Sequence, residues 1–256
     1  MSESRWQGDG PDFTIECAGH RWTLRVQSAD PGLVCQEGPS VGHFLTLHGL
    51  TTADHRGERD WPFGEASSLL GCERVRHRVQ ATYVLQDWPE LYIRASWAPT
   101  PDDHGFDLEI QVSNLSRGVQ RGLEMTVGSF WIERAHSWLP SSTTETPFAP
   151  VLQPLSARSY PPHLCPDPLG LPGRYYAEMV RPGDCVRRQL DAPVGSPSAP
   201  RGTSIRHVFF GCDLEKGVVL RGRIRGRWID SPIGPPDDEL RRSYESFLSE
   251  PPPLGP

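Results

Sequence analysis

Between Arg74 and Trp131 apolar and polar residues alternate with a period of two, the repeat of a half-buried strand. Over Arg74 to Gln86 the positions Val75, His77, Val79, Ala81, Tyr83 and Leu85 face one way and arginines, glutamines and Thr82 the other, with only Val84 out of step. Glu90–Trp97 and Phe106–Ser113 repeat the pattern, and Leu123–Trp131 follows as a fourth strand. The joints Asp87-Trp88-Pro89, Pro99–Gly105 and Asn114–Gly118 carry the Pro, Gly, Asn and Asp that reverse a chain, so the segment predicts an antiparallel meander.

The flanks read similarly. Phe13–Ala18 and Arg21–Val26 predict a hairpin around Gly19-His20, and Val41–Leu47 is a strand running into Leu47-His48-Gly49-Leu50. Thr51–Leu70 is polar and reads as a loop holding His55, Trp61, Phe63 and Glu65. Nine prolines between Ser137 and Gly173 exclude helix and central strand, so 137–173 is expected to be a long loop, and its Trp138, Phe148, Tyr160 and His163 suggest an ordered cover over a sheet face. Tyr175–Val180 and Val186–Leu190 are strands, and Ala192–Gly202 is a turn or linker. Ser204–Gly211 and Gly217–Ile229 are a further strand pair. In the second, Arg221, Arg223, Arg225 and Arg227 share one face, opposite Leu220, Ile224 and Trp228. Pro236 followed by three acids starts a helix over 236–250, with Leu240, Tyr244, Phe247 and Leu248 on one face.

The 256 residues suffice for one large all-β domain, and 36% hydrophobic residues are enough for a core. A formal charge of −6 argues against a nucleic-acid binder, which needs positive potential. No apolar run reaches the roughly 18–20 residues of a membrane span, and Met1–Phe13 has no signal-peptide pattern, so a cytoplasmic protein off the membrane is expected. The six cysteines show neither CxxC nor metal spacing with histidine; reduced thiols, no metal and no cofactor are expected.

One run of residues resembles a known superfamily. The strand holding Leu91 and Ile93, then Phe106-Asp107-Leu108-Glu109-Ile110-Gln111-Val112-Ser113-Asn114-Leu115-Ser116, a turn, and Gly128-Ser129-Phe130-Trp131 are similar in order to the galactose mutarotase-like proteins. That superfamily includes the aldose 1-epimerases, and Leu47-His48-Gly49-Leu50 resembles its upstream His-Gly segment. The resemblance implies an antiparallel β-supersandwich with a sugar-sized concave face. Where the family carries a catalytic histidine, this chain has Gly128-Ser129, neither of which titrates near neutral pH.

Within that frame Glu178, on a short strand beside aromatics, is the candidate general base, with His48 or His136 as acid. Trp138, Tyr176 and Arg174 are candidate sugar contacts. The stripe of Arg221, Arg223 and Arg225, and a second of Arg74, Arg76 and Arg78, would suit a phosphorylated or uronic sugar; the alternative is a solvated face neutralised by Glu90, Asp107, Glu109 and Glu124. The expected function is binding of a sugar or sugar acid, with acid–base isomerase chemistry if it is turned over. A second reading is a non-catalytic sandwich docking on a protein partner through the proline loop and terminal helix.

Overall fold

The computed structural model describes residues 6–35, 40–54, 57–133, 153–154, 162–166, 168–169, 171–191, 201–232 and 236–251. In chain order these form β1 (Asp12–Cys17), β2 (His20–Arg25), β3 (Gly32–Cys35), β4 (Ser40–Asp54), β5 (Gly57–Pro62) and a short helix α1 (Phe63–Ala66). Next come β6 (Ser67–Val75), β7 (Arg78–Leu85), β8 (Trp88–Pro99), β9 (Gly105–Asn114) and β10 (Gln120–Glu133). Then follow β11 (Gln153–Pro154), β12 (His163–Pro166), β13 (Arg174–Val180), β14 (Cys185–Asp191), β15 (Arg201–Leu214), β16 (Val219–Asp230) and helix α2 (Asp237–Ser249).

The strands make two antiparallel sheets packed face to face. A nine-stranded sheet runs β1-β2-β3-β4-β10-β15-β14-β11, with β5 on β4, and a seven-stranded sheet runs β12-β13-β16-β9-β8-β7-β6. The architecture is the all-β sandwich with one C-terminal helix that the alternation implies. No helix among the described residues is long and apolar enough to cross a membrane.

Three local expectations change. The single strand over Arg74–Gln86 is broken by a hairpin turn at Arg76-His77, where Arg76 takes a φ of 56°. The polar stretch Thr51–Leu70 is mostly strand: β4 runs on to Asp54, β5 falls within it and β6 begins in it, because polar residues on outward faces look like loop to a hydrophobicity pattern. Finally, β10 leaves the meander, pairing with β4 and β15 in the other sheet while β16 takes the place beside β9. Alternation sets which face of a strand is buried but not which sheet it joins. Two short strands, β11 and β12, form within the proline-rich stretch, each at a sheet edge.

Between the sheets lies one continuous apolar core whose centre is aromatic. Trp22 packs on Trp228 at 4.7 Å and edge-on to Phe44 and Phe106 at 5.3 and 5.4 Å, and Tyr176 meets Trp228 at 4.7 Å. Gly226 makes room for this: a Cβ there would lie 2.4 Å from the Tyr176 hydroxyl.

The outward face of the seven-stranded sheet carries α2. Phe247 is fully buried against Ala177, Met179 and Ile229, with the Arg181 and Arg225 guanidinium groups 5.8 and 5.1 Å from its ring centre. Leu240 and Tyr244 pack beside it, while Leu248 is exposed. Phe247→Ala should cost about 3–5 kcal/mol, the range for truncating a buried aromatic. Urea denaturation measures this, and a loss below about 1 kcal/mol would show that α2 is not held by this ring.

Candidate functional site

Two polar clusters lie back to back across β4 and β10. On the outward face of the nine-stranded sheet, His48 Nδ1 lies 3.1 Å from Asp30 Oδ1, in the bend between β2 and β3, and Nε2 lies 3.0 Å from Thr46 Oγ1. Thr46 also donates to the Gly128 carbonyl at 3.0 Å. The His48 side chain is 17% exposed and that of Asp30 51%. The His48 hydrogen bond, the charges of His48 and His43, and that of Arg206 hold the Asp30 carboxyl below its usual range, against the opposing effect of burial. His43 shares this environment; burial, helped by the Arg25 and His48 charges, lowers its pKa and keeps the ring neutral near pH 7. Its ring centre is 6.4 Å from the half-exposed ring of Phe130, its β-partner on β10.

On the inward side a carboxylate is fully buried between the sheets. Glu178, on β13, accepts hydrogen bonds from the Ser129 hydroxyl on β10, from Tyr176 Oη at 2.9 Å, and from His207 Nε2 on β15 at 2.7 Å. Burial alone would depress the His207 pKa, but hydrogen bonds with Cys185 and Glu178 and the Glu178 charge outweigh it, so the ring is held more basic than usual. Burial and the same carboxylate push the Tyr176 hydroxyl well above its ordinary value. With every member sealed from solvent, this network offers no surface to a ligand.

A third polar region is a cleft of about 1320 Å³ on the outward face of the seven-stranded sheet. Its floor holds the arginine stripe, and there the charges close on themselves. Arg225 grips Asp107 through Nε and Nη2 at 2.7 and 2.8 Å and Glu250 at 2.8 Å. Arg223 bridges Glu109 at 2.7 Å and Glu250 at 2.9 Å, and Arg78 also binds Glu109.

No family model matches the sequence, and no curated protein matches it. Among solved structures, the Slr1438 protein from Synechocystis superposes with a TM-score of 0.57 at 8% identity, over 90% of this chain and 100% of that one. The alpha-N-acetylgalactosaminidase NagBb from Bifidobacterium bifidum, in complex with GalNAc, gives 0.52 at 12% identity over 97% of this chain, which spans only 38% of that protein. A GalM/aldose epimerase homologue from C. elegans gives 0.49 at 9%, over 84% and 97% of the two chains. This chain shares its fold with Slr1438 and with part of NagBb. At these identities it is the fold that is shared.

Within this sandwich the residues singled out from sequence fall in separate places. Glu178 and Tyr176 come together in the core, and His48 lies on the far face of the sheet that Glu178 reaches through Ser129, so Glu178 and His48 do not form one acid–base pair. The physical reason is the alternation of β13, which points Tyr176 and Glu178 into the sandwich and Ala177 and Met179 outward onto Phe247. Arg174 bonds His20 and the Ala18 carbonyl, with Asp230 at 3.5 Å. Arg221, Arg223 and Arg225 lie on β16 in the other sheet; Asp107 and Glu109 neutralise the last two, together with Glu250, while Glu124 pairs with Arg187 instead. His136 and Trp138 lie outside the described residues. At Gly128-Ser129, where the resemblance would put a histidine, a Cβ on Gly128 would sit 1.9 Å from the Ile205 carbonyl, and Ser129 points inward.

Sequence reasoning missed Asp30, His43, Arg206 and His207. His43 and His48 are five residues apart, which a regular strand puts on opposite faces. The adjacent apolar pair Phe44-Leu45 was the signal that the period breaks between them.

The raised His207 pKa gives a signed prediction. The contribution of the charged ring to stability is fully present below the ordinary value of 6.5 and is lost as pH rises through the higher folded-state value. His207→Asn should therefore cost about 3–5 kcal/mol in mildly acid buffer, by leaving a buried carboxylate uncompensated, and less in alkaline buffer. Urea melts of both proteins across this range check it; an equal cost throughout would contradict it.

Proposed function

We propose that this protein binds a carbohydrate on the outward face of its nine-stranded sheet, around His48. The observation that carries the reading is the Asp30–His48 pair, partly open to solvent, with neutral His43 and Arg206 beside it. Phe130 adds a half-exposed ring on which the apolar C–H face of a sugar can stack, flanked by groups that hydrogen-bond hydroxyls. The sharing of fold with NagBb, solved in complex with GalNAc, supports a sugar as the ligand class.

The same residues supply the acid–base chemistry that opening a hexose ring requires: one group to take the anomeric hydroxyl proton and one to protonate the ring oxygen. Because Thr46 gives its proton to the Gly128 carbonyl, its oxygen accepts from His48 Nε2–H while Nδ1 faces Asp30, so Nε2 is the nitrogen that donates where a substrate oxygen would replace the Thr46 hydroxyl. A neutral His43 accepts. Arg206 favours ligands carrying a carboxylate.

Calorimetric titration with D-glucose, D-galactose and D-glucuronate tests this. At least one should bind, and His48→Ala should weaken it at least about tenfold, equivalent to about 1.4 kcal/mol, with little change in melting temperature. Binding unaffected by His48→Ala, or none with any of the three at millimolar concentration, would overturn the reading.

A further inference from the structure

The outward cluster exists only because β4 is irregular. In a regular strand alternate residues share a face, so His43 and Thr46, three apart, would point to opposite sides. Instead His43 pairs with Phe130 and Thr46 with Gly128, two positions apart on β10, so β4 holds one extra residue opposite Ser129. Leu45 takes the strain, with a φ of 51°, in the left-handed region that a branched side chain rarely occupies. A second irregularity follows between Val127 and Thr126, opposite His48. The first shifts the parity as far as the second, turning Thr46 and His48 outward beside His43 and Leu47 into the core.

A bulge leaves its extra residue off the ladder, and buried backbone groups without partners are costly. Here both groups of Leu45 are supplied by side chains. Its N–H donates to Ser129 Oγ at 3.0 Å, and its carbonyl accepts from Trp97 Nε1, reaching across from the opposite sheet, at 3.0 Å. Ser129 can accept in this direction because its own proton goes to the Glu178 carboxylate, which faces it on β13.

We propose that Ser129, oriented by Glu178, is a positioning residue that fixes the Leu45 bulge and thereby decides that His43 and His48 share the outward face. Glu178 acts from the core, through one hydroxyl, on residues it never touches. The consequence for ligand binding rests on the carbohydrate reading above; the positioning itself does not.

The test follows the imidazole signals of the full chain, 15N-labelled on histidine and without sugar, by long-range proton–nitrogen correlation. Ser129→Ala should displace the His48 signals from their Asp30-bonded positions, and Ser129→Thr, which keeps the hydroxyl, should restore them. Met125→Ala, a core truncation on the same strand, should lower the melting temperature yet leave the His48 signals in place. Trp97→Phe removes the other Leu45 partner and should move the same signals, so the proposal stays testable should Ser129→Ala not fold. Unchanged His48 signals in both Ser129→Ala and Trp97→Phe would overturn it. Sugar titration of Ser129→Ala then separates the two ideas: displaced signals with about tenfold weaker binding support both, whereas displaced signals with unchanged affinity uphold the positioning and remove the sugar from this face.

Discussion

The interaction on which the sandwich turns is the reach of one buried carboxylate across the space between its sheets. A charge in that environment is tolerated only when its lone pairs are met, and Glu178 is met from three strands: by Tyr176 on its own β13, and by Ser129 and His207 on β10 and β15 of the facing sheet. These bonds fix the relative register of the two sheets where apolar packing alone would allow sliding. They also explain Gly226, whose missing side chain leaves the space that the Tyr176 ring fills on its way to the carboxylate. From Ser129 the influence passes to the Leu45 backbone, and from there to the far face of the nine-stranded sheet.

The two outward faces have opposite electrostatic characters. On the seven-stranded sheet the arginines of β16 meet carboxylates from β9 and, in Glu250, from just beyond α2, so charge is spent on fastening the helix. Bidentate geometry and partial burial make these pairs stronger than ordinary surface bridges. On the nine-stranded sheet the cluster around His48 is less closed: a carboxylate half in solvent, two imidazoles and a guanidinium. The cleft of about 1320 Å³ lies over the self-neutralised face, while the Asp30–His48 pair lies on the other.

The strands of this fold were legible because period-two alternation is a direct consequence of strand geometry, and β7, β8 and β9 follow it throughout. The arginine stripe was legible for the same reason, and so were Asp107 and Glu109 as its partners; Glu250 was not, since nothing local says where a helix end will land. Sheet membership of β10 was invisible because its alternation is equally good in either sheet. The outward cluster was hidden by the very feature that creates it. A bulge inverts parity, so counting by twos past Leu45 sends His48 to the wrong side of β4, while Asp30 arrives from a bend that no periodicity describes. Glu178 stood out as an acid among aromatics, but the sequence could not say that its strand faces inward.

The histidines report independently on which face takes the ligand proposed for the outward side of the nine-stranded sheet. His43 and His48 lie on that face, His207 in the core, and His77 lines the cleft over the arginines. Titrating the 15N-histidine-labelled protein with the tightest-binding of the three sugars and following all four rings in one spectrum is the most direct measurement. With the ligand on the outward side of the nine-stranded sheet, His43 and His48 should move together, with His77 and His207 unchanged. Movement of His77 with His43 and His48 still would put the ligand in the arginine cleft and contradict it.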